Sequence, residues 1–212
     1  MIIKLFLSVL MKSNLPQISA QSLIDYFSRL IPLTGEEAEF VASKFHPRLF
    51  RKRQFVLQEG DICKVFNFVV SGCLRMYKID DGGTVHIIQF ATEEWWISDI
   101  GSFYREQPSV LNIDALEDTV VLQIKHDDLI ELYIQAPKFD RIFRILIEKN
   151  VVHLQERLLQ NISSTGKERY LSFLLQYPQL VNRVPNTQIA AYLGITPEFL
   201  SKIRSERLSD KH

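Results

Sequence analysis

Cysteine, histidine and long apolar runs are scarce in this 212-residue chain, and each shortage argues against a class of protein. Two cysteines, Cys63 and Cys73, are too few for a disulfide framework, so we expect a reducing compartment and two buried thiols. Five histidines without a His-x-His pair argue against a metal enzyme. No apolar run is long enough to span a bilayer, so we expect a cytoplasmic protein without a membrane partner.

The first eleven residues, Met1 to Met11, carry one cation and a short apolar run. No small-residue cleavage site follows closely, which argues against a secretory signal. We interpret the segment as a packed helix, or as an extension ahead of a true start at Met11.

Net charge identifies no partner, because Lys+Arg and Asp+Glu both total 25. Its distribution is slightly uneven, since residues 161–212 hold seven basic and four acidic side chains. A mildly basic C-terminal end permits nucleic-acid binding without requiring it, and solvated surface charge is the alternative.

The apolar pattern divides the chain into a helical start, a strand-rich middle and a helical end. Residues 18–46 predict two helices, the second opened by a capping box at Thr34–Glu37. From about 47 to 125 the spacing of short runs between turn residues predicts a compact antiparallel barrel or sandwich. The expected strands are Arg53–Gln58, Val65–Val70, Leu74–Ile79, Val85–Phe90, Asn112–Ala115 and Thr119–Ile124. Asp80-Asp81-Gly82-Gly83 is a hairpin signal between two of them.

A long helix is predicted at about 138–163, after a short helix that begins near Asp127 and stops before Pro137. Its apolar residues recur every three or four positions and form one continuous stripe. A small barrel would not cover so much apolar surface, so we expect a dimerisation helix, with packing inside the monomer as the alternative. The expected interface residues are Phe143, Ile147, Val151, Leu154 and Leu158.

Residues 186–205 carry the most specific pattern in the chain, and a capping box at Thr165–Glu168 opens the helix before them. Gly194 follows the small Ala190 by four residues, where a chain leaves a helix in a left-handed conformation. Thr196 and Pro197 then suit the start of a second helix. This combination predicts a helix-turn-helix, with an ordinary helical hairpin as the alternative. The side chains expected to reach DNA are Thr196, Glu198, Ser201, Lys202, Arg204 and Ser205.

Together these features resemble the Crp/Fnr group of transcription regulators. The marks of the resemblance are the glycines at 60, 72 and 82–83 and the segments 69–75, 115–119 and 189–203. The resemblance implies an α+β fold: an antiparallel β-roll of the cyclic-nucleotide-binding type (a double-stranded β-helix) with flanking helices, a long dimerisation helix and a C-terminal helix-turn-helix. We expect an N-terminal extension at 1–17, a sensor domain at 18–136, the dimer helix at 137–163 and a DNA-binding domain at 164–212.

The resemblance also implies partners. We expect a homodimer on double-stranded DNA, with RNA polymerase as a further candidate partner, an unidentified small-molecule effector, no cofactor, no metal and no enzymatic activity. Only five residues follow Arg207, so the wing hairpin is expected to be reduced or absent. Two rival interpretations stay open, namely a sensing or protein-interaction dimer that does not bind DNA and a cupin-like metal enzyme.

The resemblance also implies a ligand site. In this family a Gly-Glu pair holds the ribose of a cyclic nucleotide, and an Arg with a following Ser or Thr holds its phosphate. Here Glu94 follows Glu93, Ser109 and Val110 stand where the family has Arg and Ser/Thr, and the nearest cation, Arg105, lies four residues earlier. We therefore expect a degenerate pocket that does not bind cAMP or cGMP in the family mode, either filled by Trp95 and Trp96 or open to another ligand. Its expected residues are Glu94, Trp96, Arg105, Ser109 and Val110.

Overall fold

The computed structural model describes residues 20–209, so the expectations for Met1 to Met11 lie outside the described residues. Helix α1 spans Gln21–Leu30 and helix α2 spans Gly35–Lys44. The predicted capping box is confirmed, because the Glu37 amide donates to the Thr34 hydroxyl over 3.3 Å and the Thr34 amide donates to the Glu37 carboxylate over 2.7 Å. Both helices pack on the strand-rich body that follows.

Two four-stranded antiparallel sheets form this body, with strand orders β1-β8-β3-β6 and β2-β7-β4-β5. The strands are β1 (His46–Phe50), β2 (Phe55–Leu57), β3 (Val65–Ser71), β4 (Leu74–Ile79), β5 (Val85–Ala91), β6 (Trp96–Ile97), β7 (Asn112–Ala115) and β8 (Thr119–Lys125). The hairpin between β4 and β5 turns at the predicted Asp-Gly site, where the Asp80 carboxylate accepts from the amides of Gly82 and Thr84. The antiparallel β-roll expected from the sequence is confirmed.

Three elements of the roll were not predicted. Strand β1 contains Pro47, which is tolerated because β1 lies at the edge of its sheet and needs no ladder bond on its outer side. Strand β6 has only two residues. Helix α3 (Ile100–Arg105) begins at Asp99, whose side chain accepts from the Ser102 amide over 3.1 Å.

The roll has a core of apolar side chains from both sheets and from the helices that cover it. Phe27 of α1 is fully buried, and its ring contacts those of Phe45, Trp96 and Phe139. Cys63 belongs to this core, and Cys73 is buried as well, so the prediction of two buried thiols is confirmed. Burial raises the pKa of Cys73 to about 12.

Five helices complete the described chain: α4 (His126–Gln135), α5 (Lys138–Ser163), α6 (Gly166–Gln176), α7 (Asn186–Leu193) and α8 (Pro197–Ser209). A short 3-10 turn at Leu180–Asn182 lies between α6 and α7. The predicted bounds of the long helix and the capping box at Thr165 are confirmed. No strand follows Lys125 in the part of the chain that the structure describes.

A second core joins these helices to the roll. Phe90 of β5 is fully buried against the rings of Phe173, Tyr177 and Tyr192. The C-terminal helices therefore rest directly on the outer side of the sheet that contains β4 and β5.

Candidate functional site

Helices α7 and α8 cross through small and aliphatic side chains. Ile189 and Ala190 of α7 and Leu200 and Ile203 of α8 are buried at their contact. Gly194 ends α7 with φ +64°, a left-handed conformation that favours glycine. The geometry is that of a helix-turn-helix.

The N-terminus of α8 is capped as the sequence predicts, because the Phe199 amide donates to the Thr196 hydroxyl over 3.2 Å. Of the six side chains predicted to read DNA, five are exposed: Thr196, Glu198, Ser201, Lys202 and Ser205. The sixth, Arg204, is half-buried, and its guanidinium donates to the side-chain oxygen of Asn186 on α7. In this arrangement Arg204 ties the two helices together.

Phe199 is an exposed aromatic on α8 that the sequence reasoning did not single out. A Cβ built on Gly166 would lie 2.7 Å from its ring, so glycine at the start of α6 permits the close approach of α8. No local pattern indicates this contact, because it joins residues more than thirty positions apart.

A cavity of about 510 Å³ lies between the roll and helix α5. Aromatic rings form much of its wall: Tyr26, Phe66, Trp95, Trp96 and Phe143. Helix α5 contributes Leu146, Ile147, Asn150, His153 and Leu154. Of the five residues predicted for a degenerate effector pocket, Glu94 and Trp96 line this cavity, whereas Arg105, Ser109 and Val110 do not.

The carboxylate that contacts Ser109 is Asp99, a residue that the predicted pocket did not include. The Ser109 hydroxyl donates to Asp99 over 2.7 Å. Glu94 sits in a tight turn at φ +67°, and its carboxylate lies 2.6 Å from the Arg29 guanidinium. The spacing of Asp99 and Ser102, which is that of an N-cap and its third residue, could have indicated Asp99 from sequence.

Arg105 is exposed at the end of α3 and Val110 is 61% exposed, and neither lines this cavity. Trp95 and Trp96 line the cavity and do not fill it. Trp96 stacks on Phe27 in the first core, with centroids 5.9 Å apart, because a buried indole gains most from packing against other rings.

Three arginines join the roll to the C-terminal helices, and no local pattern indicates them because their partners lie far along the chain. Arg75 of β4 forms a two-pronged ion pair with Asp114, at 2.7 and 2.8 Å, and also donates to Gln188 of α7. Arg157 of α5 donates to the carbonyl oxygens of Ile87 and Tyr192.

The third arginine, Arg183, lies between α6 and α7 and bridges two carboxylates of the roll, Glu93 and Glu117. Burial alone would raise the pKa of Glu93, but hydrogen bonds from Arg183 and from the Gly72 amide hold that pKa below its ordinary value. Glu93 is therefore ionised at neutral pH and its charge is compensated.

The apolar stripe of α5 divides into a buried part and an exposed part. Phe143 is 4% exposed and packs on Phe27 and Tyr133, so its place in a dimer interface is corrected. Ile147 is half-buried and lines the cavity. Val151, Leu154 and Leu158 are exposed by 46%, 45% and 60%. Monomer packing satisfies the first half of the helix and leaves the second half uncovered.

Residues 20–209 contain neither a metal cluster nor a helix that could span a membrane. No group of three or more His, Cys, Asp or Glu in that range is arranged to hold a metal ion. None of the helices in that range is long and apolar enough to cross a bilayer.

Comparison with known proteins gives one family model, the cyclic nucleotide-binding domain, which matches residues 47–136. The chain is 25% identical over 167 residues to the transcriptional activator protein Anr of Pseudomonas protegens, covering 74% of this chain and 68% of that protein. It is 26% identical over 167 residues, with the same coverage, to the transcriptional activator protein anr of Pseudomonas aeruginosa.

Three solved structures share the fold. FixK2 from Bradyrhizobium japonicum superimposes with a TM-score of 0.70 at 21% identity, covering 79% of this chain and 86% of that one. The regulator CLP of Xanthomonas campestris, described as responsive to c-di-GMP, gives 0.68 at 14% identity over 84% and 93% of the two chains. The catabolite activator protein of Thermus thermophilus gives 0.53 at 19% identity over 88% of both chains.

Proposed function

We propose that the chain is a divergent regulator of the Crp/Fnr type, as its matches to the cyclic nucleotide-binding domain and to the transcriptional activator protein Anr support, and that it acts as a homodimer that reads double-stranded DNA with α8. One observation carries the proposal. The inner face of α8 is buried through Leu200 and Ile203, while Glu198, Ser201 and Lys202 stand exposed on its outer face. A recognition helix needs this division, because its outer side chains must enter the major groove.

Within this proposal the residues have separate roles. Glu198 accepts from a cytosine amine and Lys202 donates to guanine or to a phosphate, whereas Thr196, Ser201 and Ser205 contact the backbone or base edges. The curated relatives are transcriptional activators, and no enzymatic family is indicated. Such a regulator acts in the cytoplasm. RNA polymerase is a further candidate partner.

The exposed half of α5 supports the homodimer. Val151, Leu154 and Leu158 lie on neighbouring turns and leave an apolar strip in contact with water. Pairing with the same strip of a second copy would bury it and place two recognition helices about one DNA turn apart, roughly 34 Å.

The cavity supports a departure from cyclic-nucleotide binding. No arginine belongs to its described lining, its one lysine, Lys149, is exposed, and its acidic side chains are Glu93, Glu94 and Asp99. A buried phosphate needs a paired cation, so this lining disfavours cAMP and cGMP in the family mode.

The DNA-binding proposal is tested by fluorescence anisotropy on promoter DNA from the source genome. Lys202→Ala is expected to weaken binding about ten-fold, since one good base or phosphate contact contributes about 1–3 kcal/mol. Lys64→Ala, which removes an exposed lysine that precedes β3 of the roll, is the matched control and should bind like the wild type. Absence of sequence-selective binding by the wild-type protein would favour the rival, a sensing dimer without DNA binding.

The cavity proposal is tested by isothermal titration of cAMP and cGMP into the purified protein. We expect no saturable heat at nucleotide concentrations up to the millimolar range. Micromolar affinity for either nucleotide would contradict it.

A further inference from the structure

We propose that the cavity between the roll and α5 binds an uncharged, largely apolar aromatic molecule, and that Trp95 and His153 couple its binding to the DNA-binding helices. The coupling rests on the proposed function, since it assigns a regulator to that same output. We infer the ligand class from the charges and shape of the cavity. We infer the coupling to the DNA-binding helices from the contacts of the wall that contains Trp95 and His153.

The charges of the lining are already compensated. Glu93 is paired with Arg183, and Glu94 with Arg29. Asp99 accepts from the Ser102 amide and the Ser109 hydroxyl. A ligand cation would compete with these contacts, and a ligand anion would meet three carboxylates with only the exposed Lys149 to attract it. An uncharged ligand meets neither difficulty.

The shape of the cavity favours a flat apolar molecule. Its volume of about 510 Å³ lies in the range of small-ligand sites, and rings form much of its wall. One buried polar group of the wall is available to a ligand, because the indole N–H of Trp96 has no hydrogen-bond partner within residues 20–209. Apolar walls with few free polar groups fit an aromatic molecule that carries one hydrogen-bonding group.

The wall of Trp95 and His153 belongs to both the cavity and the C-terminal helices. The Trp95 ring lies 5.6 Å from that of His153 and 5.3 Å from that of Tyr177. On the far side, the His153 ring contacts the amide nitrogen of Gln176, at the end of α6, and lies 3.5 Å from the Tyr177 hydroxyl.

Tyr177 is fully buried in the second core against Phe90 and Phe173. Close-packed interiors transmit displacement, so a ligand that shifts Trp95 must also shift the end of α6. Burial, reinforced by the neighbouring Arg157, lowers the pKa of His153. The ring is therefore neutral at pH 7, and one of its nitrogens can accept the Gln176 hydrogen bond.

The ligand class is tested with N-phenyl-1-naphthylamine, an uncharged aromatic fluorophore, and with the anionic 1-anilinonaphthalene-8-sulfonate. We expect saturable binding of the uncharged dye, and binding of the anion that is at least about ten-fold weaker. Leu146→Trp, which places a large ring in the cavity, should abolish the signal. Leu171→Trp, on the exposed side of α6, should not. Equal binding of the two dyes, or binding that survives Leu146→Trp, would overturn the assignment.

The coupling is tested by hydrogen–deuterium exchange, which needs no DNA. Saturating N-phenyl-1-naphthylamine should change the exchange of Gly166–Gln176 in the wild type. The change should vanish in Gln176→Leu, which cuts the contact from the side of the DNA-binding helices and leaves the cavity lining intact. Unchanged exchange in the wild type, or an equal change in Gln176→Leu, would overturn the coupling.

His153 is tested as a positioning residue by its conservative variant. His153→Gln, which can still accept from Gln176, should keep the exchange response that His153→Leu loses. In DNA titrations the uncharged dye should alter wild-type affinity by about five-fold or more, the usual size of an allosteric effect. A protein that binds no DNA yet shows the exchange response would refute the proposed function and leave the ligand site standing.

Discussion

Gly72 illustrates how one position of the roll depends on the absence of a side chain. It has φ +98°, and a Cβ built there would lie 2.5 Å from the Thr119 hydroxyl oxygen and 2.7 Å from the Asp118 carbonyl oxygen. Its amide also donates to Glu93 over 2.9 Å. Both the backbone conformation and the crowded space therefore require glycine.

We expect Gly72→Ala to lower the free energy of unfolding by about 3 kcal/mol in urea denaturation, from backbone strain together with steric overlap. Gly83→Ala is the matched control. Gly83 also has positive φ, +81°, but a Cβ built there would have no heavy atom within 4 Å. It should lose only about 1 kcal/mol. Equal losses would mean that the contact with Thr119 is unimportant.

Arg183 is the second residue whose role can be isolated. Arg183→Met leaves Glu93 and Glu117 without their shared cation, and we expect a loss on the order of 1 kcal/mol at pH 7. Because the folded-state pKa of Glu93 is lowered, its contribution is present above the unfolded pKa and disappears as pH falls through the folded pKa. The stability curves of variant and wild type should therefore converge as pH falls from about 5 to 3.

The control for this prediction is Arg144→Met. It removes an exposed ion pair in which Arg144 Nε lies 3.9 Å from Glu148 Oε1. An exposed pair of that kind contributes little, so its stability should follow the wild type at every pH. A constant gap between Arg183→Met and the wild type down to pH 3 would show that lost packing, rather than charge, causes the effect.

At the scale of elements, α5 serves two purposes along its length. Its first half completes the roll through Phe143, which a monomer already buries. Its second half leaves apolar side chains exposed, and this difference locates the proposed dimer contact after Ile147. The stripe looks uniform in sequence, because periodicity identifies an apolar face without identifying what covers it.

We expect Leu154→Glu with Leu158→Glu to weaken self-association at least about 100-fold, since each places a carboxylate in an apolar contact. Analytical ultracentrifugation measures the change. Gln155→Glu, an exposed position on the same stretch of helix, adds one charge outside the strip and should leave association intact. A double variant that remains dimeric would place the dimer contact elsewhere.

At the scale of the whole molecule, the second core joins the roll and the C-terminal helices through shared apolar side chains. Phe90 belongs to β5, yet its ring contacts Phe173, Tyr177 and Tyr192 of the C-terminal region. Arg75 and Arg183 add polar contacts between the same two regions, with Gln188 and Glu93 respectively. The boundary between sensor and DNA-binding domains predicted from sequence is therefore bridged by a shared core.

We expect Phe90→Ala to lower the free energy of unfolding by about 3–5 kcal/mol, and wild-type calorimetry to show one transition. Phe55→Ala is the control, because Phe55 is 41% exposed on the roll and should lose much less. Two separate transitions in the wild-type protein would contradict the shared core.

Local signals in the sequence predicted most of the elements. The capping boxes, the hairpin turn at Asp80–Gly83, the bounds of α5 and the α7–α8 motif depend on residues a few positions apart, so they can be recognised without the fold. Strand β6 and helix α3, with two and six residues, escaped prediction because each is too short for its apolar residues to repeat recognisably. The contact of Asp99 with Ser109 was not predicted, because the two residues lie ten positions apart in separate elements.

The sequence by itself determined the type of each long element, an antiparallel strand-rich middle and the helix-turn-helix, because hydrophobic period and capping chemistry are local properties. The β-roll in particular was expected from the family resemblance. The tertiary structure decided which side chains meet. It opened a cavity beside Trp95 and Trp96, buried Phe143, and brought Arg75 of the roll to α7 and Arg183 to Glu93 of the roll. Those contacts join residues up to 113 positions apart, and only the packing of the folded chain selects them.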